Sequence, residues 1–172
     1  MGNVDARGAR GFRGSQATIA FALAGVASGI AIKALDKWAS NAANIFSHLS
    51  VWVLICVAIV AVSATLRRAA LNVFLFCAGM LVSYYLFAEF TGAAYSVSFA
   101  VGWAAFSLLT PLFSCVVWYA RGEGAGPKIV GALVIAATLL ATVVLFDKVR
   151  IWDLVFAIPT AVLLFADRRR RG

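Results

Sequence analysis

The stretch Ala69–Ala88, AALNVFLFCAGMLVSYYLFA, runs 20 residues without a charge, with Arg67 and Arg68 before it and Glu89 after it. A helix rises 1.5 Å per residue, so such a stretch spans the roughly 30 Å hydrocarbon core of a bilayer. Lipid offers no partner for free backbone N–H and C=O groups, so a spanning stretch of this kind must be helical. Five more apolar runs flank it: Ala17–Ala34, Ser47–Leu66, Ser96–Ala120, Ile129–Phe146 and Ile151–Ala166. The pattern predicts an all-α integral membrane bundle of six transmembrane helices. The last run, at 16 residues, is the shortest and should stand upright or lean on Trp152 and Arg168 as interfacial anchors.

Charge orients the bundle. With the N-terminus inside, the inner segments hold Arg7, Arg10, Arg13, Arg67, Arg68, Arg121, Lys128 and Arg168 to Arg171, 11 of the 15 basic residues. Only Lys33, Lys37, Lys148 and Arg150 fall outside. The positive-inside rule then predicts that both termini are cytoplasmic. Acids lean the other way, with Asp36, Glu89, Asp147 and Asp153 outside against Asp5, Glu123 and Asp167 inside, so the net charge of +8 belongs to the inner face. Topology and anionic head groups explain that excess, and no nucleic-acid partner is expected. The lipid bilayer, with anionic lipids at its inner face, is the expected partner, together with a possible partner membrane subunit.

At 172 residues and 63% hydrophobic content the chain has no room for a soluble domain. Residues 1–15, rich in Gly and Arg, are predicted as a flexible basic cytoplasmic tail, residues 16–167 as the six-helix domain, and residues 168–172 as a second basic tail. The first run is too long for the apolar region of a signal peptide. Cys56, Cys77 and Cys115 all lie in apolar runs without metal-ligand or disulfide spacing, which predicts buried free thiols.

Packing signals sit within the runs. Gly25 and Gly29 form a G-x-x-x-G pattern that lets a neighbouring helix approach closely, within the chain in preference to a second copy. Pro111 and Pro159 each remove an i−4 hydrogen bond, and the Thr110 hydroxyl is placed to satisfy a released carbonyl. Trp38 and Trp152 at the outer boundary, and Trp118 and Tyr119 at the inner one, read as interfacial belts.

Trp52, Tyr84, Tyr85 and Trp103 lie deeper, and a buried indole or phenol seeks a polar partner. Tyr85 and Glu89 share a helix face at i, i+4. Asp36, Lys37, Asn41, Asn44 and His48 fill the first outer loop, and Asp147, Lys148, Arg150 and Asp153 the last. Three outer loops of a small bundle must converge. The candidate ligand-binding set is therefore Trp52, Tyr84, Tyr85, Glu89, Trp103, Arg150 and Asp153, forming an outward pocket between the third, fourth and sixth helices. Glu89, near the hydrocarbon edge, needs a partner, and Arg150 or Lys37 is the expected cation. The opposing reading is that these are solvated loop charges and boundary aromatics.

No catalytic residues, metal ligands or cofactor are expected. His48 is the lone histidine with no acid at a diagnostic spacing, and no H-E-x-x-H, G-x-S-x-G or P-loop occurs. Mid-helix ionisable residues, which a proton-coupled pump requires, are also missing. Two functions stand: a small-molecule binding or transport subunit without its own energy source, and a structural or accessory membrane protein acting through helix–helix contacts.

The segments Ser50-Val51-Trp52-Val53-Leu54, Arg67-Arg68-Ala69-Ala70-Leu71, Ser83-Tyr84-Tyr85, Gly102-Trp103, Pro111 and Trp118-Tyr119-Ala120-Arg121 resemble a family of small multi-pass bacterial membrane proteins known as a domain of unknown function. The resemblance covers roughly Gly25 to Lys148. It implies a bacterial cytoplasmic membrane location and brings no activity. In size and helix count the chain is also similar to the substrate-binding subunits of energy-coupling-factor transporters, with six helices, cytoplasmic termini and an outward pocket. That likeness is architectural.

Overall fold

A computed structural model describes residues 2–38, 46, 48–146 and 150–165. Six helices follow one another: α1 (Gly2–Trp38), α2 (Leu49–Val62), α3 (Leu66–Phe90), α4 (Val97–Ala120), α5 (Ala125–Phe146) and α6 (Ile151–Phe165). No strand occurs among the described residues. Four segments are long and apolar enough to cross a membrane: Ser15–Trp38, Leu66–Phe90, Val97–Ala120 and Ala125–Val144. The other two helices are shorter. At 14 and 15 residues, α2 and α6 rise only about 21 and 22 Å.

Boundaries differ from the sequence reading where side chains cap the chain. The second run, expected to reach Leu66, ends at Val62. There the Ser63 hydroxyl donates to the Ile59 carbonyl at 2.7 Å, and Thr65 opens α3 by accepting from the Arg68 N–H at 3.3 Å. Arg67 and Arg68 thus belong to the first turn of α3 rather than to a loop. Residues 2–15, expected as a flexible tail, are helical and continuous with α1. Ala6, Arg7, Ala9 and Arg10 are good helix formers, and an existing helix extends more readily than a new one nucleates. At the other end, α3 closes in a Schellman motif. Gly92 takes φ +60, its N–H donates to the Glu89 carbonyl, and the Ala93 N–H donates to the Ala88 carbonyl.

The bundle is built around α2, whose side chains from Ser50 to Val53, with Cys56, Val57 and Ile59 to Ala61, are buried against α3, α4, α5 and α6. α1 packs outside this ring, chiefly on α3. The two run parallel: Thr18 meets Asn72, and from there a constant offset pairs Gly25 with Phe76, Gly29 with Met80, and Lys33 with Tyr84. A Cβ at Gly25 would collide with the Phe76 carbonyl, and one at Gly29 with the Met80 carbonyl and the Ser83 hydroxyl. Gly79 returns the approach toward the Ala22 carbonyl. The G-x-x-x-G pair therefore serves contact within the chain, with Ser83 Oγ donating to the Val26 carbonyl at 2.9 Å across the seam.

The core is apolar, but so is the exterior, where a water-soluble bundle would be polar, and several polar side chains are buried. Leu108, Leu112, Leu140 and Val144 are 64–72% exposed, while Asn72, Thr110, Ser114, Thr142 and Asp153 are buried. Such extended apolar exposure is far beyond what a soluble monomer leaves uncovered. Buried hydroxyls serve helix carbonyls. Thr110 donates at 2.7 Å to the Ser107 carbonyl, the group that Pro111 releases, and Ser114 donates to the Thr110 carbonyl at 2.8 Å. Around Pro159, Thr160 donates to Phe156 at 2.8 Å. Cys56 and Cys77 are buried with their sulfurs 3.9 Å apart, whereas Cys115 is exposed on the apolar face of α4, against the expectation of burial.

The two ends of the bundle carry different chemistry. At the end with the start of α3 and the end of α4, Thr18 donates to Asn72 at 2.7 Å, and Asn72 to Ser63 at 3.2 Å. Arg121 Nε donates to the Leu163 carbonyl at 3.0 Å, a cation on carbonyls that α6 leaves open at its C-terminus. The opposite end holds the cavity.

Candidate functional site

A cavity of about 430 Å³ opens at the end where α1 and α3 finish and α2, α4 and α6 begin. Its floor and walls are aromatic. Trp52 and Trp103 meet edge to face with centroids 5.8 Å apart, and Trp103 continues onto Phe106 at 5.6 Å. On the other side Tyr84, Tyr85 and Tyr95 form a second edge-to-face series, each step 5.1 Å. These contacts fix ring orientation more tightly than apolar packing alone. Phe46 caps Trp52, whose indole N–H donates to the Phe46 carbonyl at 2.9 Å.

One wall is polar. The Tyr84 hydroxyl donates to Asp36 Oδ2 at 2.6 Å, and Lys33 Nζ stands 4.0 Å from the same oxygen. Lys33 is 5% exposed and fully engaged. Its ammonium donates to the Ala94 carbonyl at 2.9 Å, lies 3.4 Å from the Tyr84 hydroxyl oxygen, and sits 4.9 Å from the Tyr84 ring centroid. Sequence position alone reads Lys33 as an outer-side cation at the end of the first apolar run. In the fold it lies in α1, where an acid, a carbonyl and a π-face offset its desolvation.

Of the candidate residues, Trp52, Tyr84, Tyr85, Trp103 and Arg150 all line this one cavity. It lies among α1, α2, α3 and α4, with Arg150 at the entry to α6, rather than between α3, α4 and α6 as expected. Asp36 lines it too, beside Ile32, Phe46, Met80 and Tyr95. Asp36 is among the outer-loop groups expected at the rim, whereas Ile32, Phe46, Met80 and Tyr95 carry no sequence signal that sets them apart.

Glu89 does not line the cavity. It is exposed and accepts from the Tyr95 hydroxyl at 2.6 Å rather than from Arg150 or Lys37. Its bond holds the Tyr95 phenol above its ordinary pKa, since ionisation would place two negative charges together. Lys37 instead donates to the Thr91 carbonyl at 3.2 Å. Asn41, Asn44, Asp147 and Lys148 lie outside the described residues.

Asp153 also leaves the candidate set. It is 0% exposed, and its carboxylate is saturated from three sides. Oδ1 accepts from Ser50 Oγ at 2.6 Å and lies 3.1 Å from His48 Nδ1. Oδ2 accepts from the Arg150 backbone N–H at 3.0 Å, closing a reciprocal cap in which the Asp153 N–H donates to the Arg150 carbonyl. The acid thus ties the start of α6 to the start of α2, where two helix dipoles favour negative charge. Ser50 and His48 both point at the carboxylate, so this trio lacks the serine-to-histidine step of a nucleophilic site. No cluster of metal-ligating side chains occurs among the described residues.

No protein-family model, curated protein or solved structure matches this chain.

Proposed function

We propose that this is a multi-pass protein of a bacterial cytoplasmic membrane, with six spans, cytoplasmic termini and an outward cavity that binds a small molecule, acting as a binding or transport subunit without its own energy source. The observation that carries the reading is the aromatic cavity. Volumes of about 300–1,000 Å³ with mostly apolar walls and a few placed polar groups are characteristic of ligand sites, and this one combines about 430 Å³ with Asp36, Arg150 and three tyrosines. The apolar exterior supports the membrane setting, because only lipid or partner helices cover such a surface without cost. The short α2 and α6 are compatible with crossing, since α2 is enclosed by protein and local thinning or interfacial anchoring accommodates a short helix. Anionic inner-leaflet lipids would meet Arg67, Arg68 and Lys128.

Native mass spectrometry of the gently purified protein tests the function, with a bound small molecule or an added membrane subunit as the expected result. A bare polypeptide from several detergents would favour the structural or accessory role. Topology is tested separately: cysteines placed at Ser40 and Gly124, in a background lacking the native three, should label from outside and inside respectively. External labelling at Gly124 would overturn the six-span arrangement.

A further inference from the structure

Building on the small-molecule reading, we infer that the cavity takes a neutral, planar heteroaromatic molecule that donates a hydrogen bond to Asp36 and accepts from Trp103 and Tyr85. Three features converge on this class.

The first is the wall. Trp52 and Trp103 make one side of the cavity, and the Tyr84–Tyr85–Tyr95 series another. Such a lining favours a flat guest, since edge-to-face and offset contacts between rings add to what area burial supplies.

The second is charge. An aromatic box with a carboxylate in its wall usually suggests a cationic guest, but here the protein supplies the cation itself. Lys33 Nζ lies over the Tyr84 ring and 4.0 Å from Asp36 Oδ2. A second cation would have to share both groups with it. An anion fares no better, because it would face the Asp36 carboxylate, and Arg150 is already engaged within the protein. A guest without net charge meets neither penalty.

The third is unused hydrogen-bonding capacity. Several polar groups of the lining are taken up inside the protein: the Trp52 N–H by the Phe46 carbonyl, the Tyr84 hydroxyl by Asp36 Oδ2, and the Tyr95 hydroxyl by Glu89. Others are open. Among the described residues, Asp36 Oδ1 accepts no hydrogen bond, and the Trp103 indole N–H and the Tyr85 hydroxyl have no hydrogen-bond partner. All three residues line the cavity and are half-buried. One acceptor and two donors match a guest with the converse set, which a ring carrying an N–H beside a C=O provides. Such groups discriminate well, because a guest that cannot pair with them displaces their water and leaves them unsatisfied.

Calorimetric titration of the full-length protein in nanodiscs, corrected for partition into empty nanodiscs, tests the class with four probes on one ring system: 2-quinolone, N-methyl-2-quinolone, cationic N-methylquinolinium and anionic quinoline-2-carboxylate. 2-Quinolone should bind saturably and at least about tenfold more tightly than each of the others, the scale set by one buried acceptor left unpaired. Asp36→Asn keeps an oxygen for Tyr84 but replaces the second oxygen with an amide NH2, so it should abolish the preference over N-methyl-2-quinolone. Trp103→Phe combined with Tyr85→Phe keeps the rings and removes both donors, and should weaken the two quinolones alike. Equal or tighter binding of any of the other three probes, or a preference over N-methyl-2-quinolone that survives Asp36→Asn, overturns the neutral class but leaves a small-molecule site standing. Absence of binding by all four also overturns the class, and a co-purified ligand seen by mass spectrometry then decides whether the broader reading survives. The ranking of probes on the unmodified protein needs no variant to fold.

Discussion

Two aspartates near the same end of the bundle, Asp153 and Asp36, do opposite things with one functional group. Asp153 is fully enclosed and its oxygens are taken by a hydroxyl, an imidazole and a backbone N–H. Asp36 is 35% exposed, stands in the cavity wall, and shares a single oxygen between the Tyr84 hydroxyl and the more distant Lys33. The saturated acid is an architectural joint between α2 and α6, while the half-satisfied one keeps acceptor capacity facing the cavity. Burial alone would have ranked Asp153 as the functional residue. Counting the donors around each carboxylate reverses that ranking.

The largest expected effect comes from breaking the joint. Asp153→Ala leaves the Ser50 hydroxyl, the His48 ring and the Arg150 N–H without their acceptor in a dry interior, a loss of about 3–5 kcal/mol by analogy with other broken buried pairs. A steep fall in melting temperature in detergent, with little folded protein recovered, is the outcome to look for. A variant that melts within a few degrees of the parent would remove the distinction between the two acids.

A smaller effect is expected at Asp36. Asp36→Asn keeps an oxygen for Tyr84 but strips Lys33 of its counter-charge, so stability should change by about 1 kcal/mol or less, as for other partly exposed pairs. Binding should change more than melting: Asp36 stands in the cavity wall, so retention of a co-purified small molecule should shift while the melting temperature hardly moves. Loss of stability comparable to that of Asp153→Ala would show both acids to be structural.

The smallest effect belongs to Glu89, exposed on the rim. Glu89→Gln should leave the melting temperature unchanged. Its signature is a titration. The Glu89 bond raises the Tyr95 pKa, so the protonated, bonded form persists through the ordinary phenol range and is lost only as pH climbs through the raised value. The ultraviolet difference between the parent and Tyr95→Phe isolates this phenol. In the Glu89→Gln background it should ionise at lower pH, and an unmoved curve would break the assignment.

The aromatic half of the site is legible in the chain because a tryptophan or tyrosine placed several residues inside an apolar run has no boundary role to explain it. Trp52, Tyr84, Tyr85 and Trp103 stand out on that ground, and all four face one cavity. The polar half is not legible. His48 and Asp153 are 105 residues apart in sequence, and nothing local announces that the starts of α2 and α6 coincide. Lys33 looks like a boundary cation until α1 is seen to continue to Trp38, and Asn72 looks like an isolated polar residue until Thr18 and Ser63 appear on either side of it. Helix number follows from hydropathy. The end of α2 does not, because the Ser63 and Thr65 caps cut an apolar run that composition treats as continuous.

The glycine seam between α1 and α3 has a mechanical consequence. Helices that slide past one another do so by letting side chains hop between rotamers, and here backbone meets backbone at Gly25, with only the short Ser83 hydroxyl, tied to the Val26 carbonyl, beside Gly29. The pair must move as one stiff bar. Any widening of the cavity mouth therefore falls to the other walls, Trp52 on α2 and Trp103 on α4, the latter helix lacking a backbone hydrogen bond at Pro111. The bar is the fixed jaw of the cavity.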